Sequence, residues 1–185
     1  MAEMFTGKVL INDSVITGHL KLGSEMKVGD FGCGSSGYFL LPIAEAIGEN
    51  GLVYGVDVQK SALESIDHLS KQKGLCNVKT VWSDLEVYKA TKIPEGSLDR
   101  GVLINVLFQT KDDASVLKEV ARLLKIGALL LIVDWKDEKS SVGPPLERRV
   151  KKEHVRSICE SMNMAFVEEF DPGPYHYGLV FEKRF

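Results

Sequence analysis

Lys27-Val28-Gly29-Asp30-Phe31-Gly32-Cys33-Gly34-Ser35-Ser36-Gly37 is the stretch on which the reading of this sequence turns. A short β-rich run, Lys27 to Phe31, leads into glycines spaced G-x-G-x-x-G, and Phe39, Ile43, Ala46 and Ile47 then recur at helical intervals. About 20 residues past the glycines, Asp57 closes a second β-rich run, Leu52 to Asp57. Strand, glycine turn, helix, and a second strand ended by an acid make a cradle for an adenosine-like ligand. Glycines let the backbone come close, and the terminal carboxylate accepts two hydrogen bonds from a ribose diol. A glycine turn that serves only strand-to-helix packing leaves Asp57 unexplained.

Outward from this unit the same alternation continues. A helix with Leu63, Ile66 and Leu69 inward precedes a third strand, Asn77 to Trp82, and a fourth runs from Leu98 to Ile104. Val116, Val120, Leu123 and Leu124 mark a further helix, which leads into a fifth strand, Ala128 to Asp134. The unbroken apolar character of that strand predicts burial on both faces, in the middle of a parallel sheet. Trp135 to Arg149, with Gly143-Pro144-Pro145, shows neither period and reads as a long loop; a helix resumes over Lys151 to Met162. The final runs, Ala165 to Phe170 and His176 to Lys183, are joined by Asp171-Pro172-Gly173-Pro174-Tyr175, too short for a crossover helix. They must form an antiparallel hairpin. The expected fold is α/β, a doubly wound and mostly parallel seven-stranded sheet closed by an antiparallel C-terminal hairpin strand.

Asp30 separates the ligand classes. A carboxylate near the end of the first strand repels a pyrophosphate and suits a cationic ligand, such as one bearing amino and sulfonium groups. At this point the motifs resemble a family. Val28-Gly29-Asp30-Phe31-Gly32-Cys33-Gly34 resembles the first motif of class I S-adenosylmethionine-dependent methyltransferases, and Val53-Tyr54-Gly55-Val56-Asp57 the acidic second one. Ser83-Asp84-Leu85 resembles the segment that reads the adenine amino group. Ala121 to Trp135 resembles the leucine-rich turn into strand five, with Ile126 where proline is common. The likeness runs from about Lys27 to the C-terminus, and the small quinone-biosynthesis and arsenite-methylating enzymes look most similar. The cysteines form no arsenic-binding trio. One departure concerns the third glycine, expected two residues after Gly34; Ser36 stands there and Gly37 follows.

The resemblance implies a Rossmann-like methyltransferase domain over residues 27–185, preceded by a segment, residues 1–26, of which Phe5 to Ser24 is a possible lid. It implies S-adenosylmethionine as cofactor, held by Asp30, Gly32, Cys33, Gly34, Asp57, Val58, Asp84, Leu85 and Asn105. Each acid has a plainer alternative: Asp30 bonded to the turn amides, Asp84 capping a short helix at Leu85. Asn105 could equally be a simple turn residue, and Cys33 reads as a small buried residue of the turn. Ligands of open α/β sheets lie beyond the carboxyl ends of the strands, so Phe108, Asp134, Trp135, Tyr175 and Tyr177 are expected to face the methyl acceptor. His176 is a candidate for the group that takes a proton from the nucleophile. Methyl transfer from a sulfonium demands mainly alignment, so an evident base is not required.

Composition bounds the alternatives. In 185 residues, 23 Lys and Arg stand against 26 Asp and Glu, a net charge of −3 that argues against a protein made to coat phosphate backbones. Three scattered cysteines without a CxxC pair fit a reducing cytosol, and no zinc or other metal site is expected. The strongest apolar run is too short to cross a bilayer, so the expected location is cytoplasmic. The basic run Arg148-Arg149-Val150-Lys151-Lys152 could steer an anionic substrate but reads better as a solvated helix start. A small-molecule acceptor is expected. An RNA or protein methyltransferase, an NAD-dependent oxidoreductase and a non-catalytic cofactor-binding scaffold are the alternatives.

Overall fold

The computed structural model describes residues 11–185. Seven strands form one sheet: β1 Lys27–Phe31, β2 Leu52–Asp57, β3 Val78–Trp82, β4 Leu98–Ile104, β5 Leu124–Trp135, β6 Met164–Phe170 and β7 His176–Lys183. Among the described residues five α-helices accompany it: α1 Asp13–Leu20, α2 Leu40–Ile47, α3 Lys60–Gln72, α4 Asp113–Leu123 and α5 Lys152–Ser161. The strand order is β3-β2-β1-β4-β5-β7-β6. β1 to β5 pair in parallel, while β7 lies antiparallel between β5 and β6. The order reverses between β1 and β4, and a crevice opens at such a switch point beyond the strand ends.

The expected elements are present, with small shifts at their edges. The third strand starts at Val78 instead of Asn77, whose side-chain amide is instead spent on the carbonyls of Ala44 and Gly48. β5 starts at Leu124, four residues before the apolar run, because Leu124 already pairs with Leu98 and the strand bulges around Gly127 at φ 80° before pairing resumes at Leu129. On α2 the inward small residue is Ala44, and Ala46 faces solvent. Pro42 is the third residue of that helix, within the first turn, where proline is tolerated.

Two apolar layers cover the sheet. Ile16 and Leu20 of α1 and Leu40, Ile43 and Ile47 of α2 pack on one face with Val28, Val53, Leu131 and Val133. Val116, Val120 and Leu123 of α4 and Val155 and Cys159 of α5 pack on the other with Leu103, Leu130, Ile132 and Phe181. β5 contributes to both layers, as its apolar run requires. Of the expected lid, residues 5–10 lie outside the described residues. Its described part is α1, capped by Asn12, whose side chain accepts from the Ser14 N–H, and held where the Leu20 carbonyl accepts from Arg100 Nε at 2.6 Å.

The long loop after β5 is wound around Arg149. All five guanidinium N–H groups are used: Nε donates to Pro144 O, Nη1 to Lys136 O and Glu138 O, and Nη2 to Val142 O and Ser140 Oγ. A segment without period thus takes one shape because a single buried cation reads out its carbonyls.

Candidate active site

The glycine turn is shaped by the positive φ of Gly32 (76°), Gly34 (61°) and Gly37 (62°). A Cβ on Gly32 would lie 2.4 Å from Val106 Cγ2, and one on Gly37 would lie 2.8 Å from Leu41. Gly32 therefore lets the segment after β4 close against the turn, while Gly37 lets the turn close on α2. The displaced third glycine thus serves packing, and α2 begins only at Leu40.

The first three amides of the turn are already spent. Gly32 N and Cys33 N both donate to Val56 O, at 2.7 and 3.1 Å, and Gly34 N donates to Asp57 Oδ2 at 3.0 Å. Asp57 Oδ1 accepts from Gln59 N at 2.8 Å. Each oxygen of Asp57 thus holds one backbone amide and keeps a lone pair for another donor. Asp30 is not bonded to the turn amides as its plainer reading required. It is 3% exposed, and burial first, then the charge of Asp57, push its carboxyl up to about 7. At neutral pH it is poised between acid and carboxylate, and a cation brought against it would draw off its proton.

A cavity of about 340 Å³ opens over this rim, lined by Gly32, Gly34, Asp57, Val58, Asp84 and Leu85 together with Val106 and Gln109 from beyond β4. Asp84 Oδ1 accepts from Glu86 N at 2.9 Å, closing a turn rather than capping a helix, and Leu85 is buried beneath it. The loop carrying both is tied to α4 by Glu119. That carboxylate is fully buried and accepts from Lys89 N, Thr91 N and Arg122 Nε and Nη2. Nothing in the sequence singled out Glu119, because its spacing on α4 is that of an ordinary charged helix residue. Cys33 lies under the turn, and burial with the nearby carboxylates raises its thiol far above the range of a nucleophile.

Asn105 follows β4 in a left-handed conformation, φ 58°, with its N–H donating to Val133 O. Its side-chain Oδ1 is buried and accepts from no group. An orphaned acceptor costs about 1–3 kcal/mol, so this position calls for a donor the chain does not supply.

The expected acceptor-facing residues divide. Asp134 is buried, its Oδ1 accepting from Trp135 N and its Oδ2 facing Phe108 N at 3.4 Å, which fixes the turn over Leu107–Gln109. Tyr177 points into the α5 layer, where its hydroxyl donates to Val150 O. Phe108, Trp135 and Tyr175 pack together on the α1 side of the sheet, with Phe108 and Trp135 edge to face at 6.4 Å. His176 lies against Trp135 at a tilt of 43°, ring centroids 4.1 Å apart. Burial, Lys136 and Arg149 push its imidazolium down to about 4, so it is neutral across the physiological range and a poor proton acceptor there.

The basic run is largely paired: Lys152 with Glu169 at 2.5 Å, Lys151 with Asp137 at 3.5 Å, Arg149 inside its loop. Among the described residues no group of three His, Cys, Asp or Glu could hold a metal ion, and no helix is long and apolar enough to cross a membrane.

Against this geometry, residues 22–174 match the model of a family described as "Methyltransferase domain". A demethylmenaquinone methyltransferase from Geobacillus stearothermophilus is 30% identical over 108 residues, 58% of this chain and 44% of the relative. The match spans under half the length of such curated relatives. A SAM dependent methyltransferase from Aquifex aeolicus is similar over 97% of this chain and 93% of its own, at 25% identity and a TM-score of 0.86. A geranyl diphosphate C-methyltransferase from Streptomyces coelicolor, solved with S-adenosyl-L-homocysteine, shares the fold over 92% of this chain and 79% of its own, at 12% identity and a TM-score of 0.75.

Proposed function

The chain belongs to the methyltransferase domain family and carries the Rossmann-like fold of its class I, S-adenosylmethionine-dependent members; we propose that it transfers the cofactor's methyl group to a small-molecule acceptor. One observation carries the choice of ligand. The turn that would have to wrap a pyrophosphate has already spent the amides of Gly32, Cys33 and Gly34, and a buried carboxylate, Asp30, stands behind it. Phosphate binding needs free amides and positive potential. A sulfonium and an ammonium need the reverse.

The residues present fit the cofactor. Asp57 accepts the ribose diol with its remaining lone pairs, Asp84 takes the adenine amino group on the oxygen that Glu86 N leaves free, and Leu85 and Val58 flank the base. At the other end Asp30 supplies charge and the orphaned Oδ1 of Asn105 accepts from the amino group. Bound there, S-adenosylmethionine supplies an electrophilic methyl group. The protein's part is to align the acceptor and exclude water beyond β4 and β5. The small-molecule reading rests on the named relatives and on the basic run, where Lys151 and Lys152 face acids and Arg149 is folded into its own loop, which leaves little for a nucleic-acid backbone.

Tryptophan fluorescence titrated with S-adenosylmethionine and with NADH is expected to saturate with the first alone; binding of NADH alone would overturn the proposal. A tritiated-methyl assay on fractionated cell extract is expected to place label among small molecules, and label in RNA or protein would reassign the acceptor. Cofactor affinity is also expected to rise with pH. Below about 7 Asp30 is protonated and offers no charge, so binding at pH 6 is about eightfold weaker than at pH 7.5. Calorimetry checks this, and Asp30→Asn abolishes the slope. A slope unchanged in Asp30→Asn would remove Asp30 from the site.

A further inference from the structure

α4 follows β4 and α5 follows β5, so the first turns of both helices lie toward the carboxyl ends of the parallel strands, where ligands of open α/β sheets bind. There an imidazole meets a carboxylate. Asp113 opens α4 and His154 lies in the first turn of α5, 41 residues further on, with His154 Nε2 3.0 Å from Asp113 Oδ2. The helix end does not claim this carboxylate, because the cap of α4 is Asp112, whose side chain accepts from Ser115 N and Ser115 Oγ. A carboxylate that accepts from Nε2–H fixes the tautomer in which Nδ1 keeps its lone pair. No group among the described residues takes that nitrogen.

His154 lines a trough of about 600 Å³ walled by Leu107, Phe108, Thr110, Arg148 and Val150. Gln109 and Thr110 line both this trough and the cofactor cavity, which Val116, one turn beyond Asp113 on α4, also lines. The two spaces therefore adjoin across the turn that follows β4. An imidazole held by a carboxylate on one nitrogen and open on the other is the arrangement that takes a proton from a nucleophile. We propose that His154, oriented by Asp113, is the general base for the methyl acceptor, and that the acceptor is a hydroxyl compound held in this trough. This deepens the methyltransferase reading and rests on it. An amine attacks a sulfonium methyl with its own lone pair and a thiol ionises unaided not far above neutrality, so a placed base serves a hydroxyl above all. The hydroxyl proton passes to His154 Nδ1 as an electron pair on the oxygen forms the new O–C bond. The C–S bond breaks and its pair stays on sulfur, leaving a methyl ether, S-adenosylhomocysteine and an imidazolium that Asp113 balances. Of the charges lining the trough, Lys111, Arg148, Arg149 and Lys151 stand against Asp113 and Glu147, with Lys151 shared with Asp137 at 3.5 Å, and they do not oppose an oxygen that is gaining negative charge.

The test compares the full chain with His154→Ala, His154→Gln and Asp113→Asn in the tritiated-methyl assay on the small-molecule fraction of cell extract, with S-adenosylhomocysteine binding measured alongside by calorimetry. Both His154 variants are expected to lose about a hundredfold or more in rate, the usual gain from a placed base, and Asp113→Asn less, while all three hold S-adenosylhomocysteine within about twofold of wild type. Added imidazole is expected to return part of the lost rate to His154→Ala, whose side chain leaves room for it, and none to His154→Gln. A packing role would not respond to imidazole. Wild-type rate in His154→Ala, a loss that imidazole leaves untouched, or a loss matched by weaker S-adenosylhomocysteine binding overturns the base. Label in RNA or protein refutes the small-molecule reading instead, and the same variants run on that fraction then decide the base. A wild-type chain that moves no label overturns both.

Discussion

Asp57→Ala is expected to weaken S-adenosylmethionine binding by two orders of magnitude or more. Two ribose hydroxyls donating to a carboxylate are worth about 1.5–3 kcal/mol each, and the substitution removes both. It also releases Gly34 N and Gln59 N, which Asp57 holds at 3.0 and 2.8 Å, so the turn loses the brace that shapes its left-handed residues. The two contributions separate experimentally. Asp57→Asn keeps oxygen for one amide and one hydroxyl but clashes donor to donor at the other, and is expected to lie between wild type and Ala in affinity by calorimetry. Ala and wild type binding equally would place the ribose elsewhere and undo the assignment of the cavity.

Glu119→Ala carries the largest expected effect on stability. It leaves Arg122, whose side chain is 9% exposed, with only the exposed Glu95 at 3.9 Å and the Thr91 carbonyl, and it frees Lys89 N and Thr91 N, so it is expected to cost about 3–5 kcal/mol, the range for breaking a buried pair. For a chain of this length that lowers the melting temperature by about 10 °C, read by calorimetry. A drop of a degree or two would mean the cluster contributes little. Hydrogen bonds from Arg122, Lys89 and Thr91 outweigh burial and hold the Glu119 carboxyl down at about 2, against an ordinary 4.5. Its contribution is therefore complete above about pH 4.5 and is lost as pH falls through 2, a loss that Glu119→Gln does not show. Because the cluster anchors the Leu85 loop, the same variant is expected to weaken cofactor binding even where it stays folded.

What lay open in the sequence was whatever depends on neighbours along the chain. Periodicity located every strand, since the choice between alternating and continuous apolar residues is settled within a few positions; β5 could read as buried on both faces from its own run. The hairpin followed from five residues too few for a helix. Gly32, Gly34 and Asp57 were legible because conformational freedom and a strand-ending acid leave a local trace. Asp30 was legible as a sign of charge.

Tertiary structure alone decided what each polar atom does, because hydrogen bonds are allotted between segments far apart in sequence. The Gly34 amide goes to Asp57, 23 residues away. Asp134 and Tyr177, which chain position sets at the strand ends, turn into the core because alternation about Trp135 and His176 puts them on the α4 and α5 face. Glu119 and Arg149 owe their roles wholly to the loops folded over them. His176 became neutral and unpaired only when β7 slid in beside β5, which brought it under Arg149 and Lys136. Local pattern fixes which elements form and where glycines and acids fall; burial and long-range pairing fix which of those groups remain free to meet a ligand.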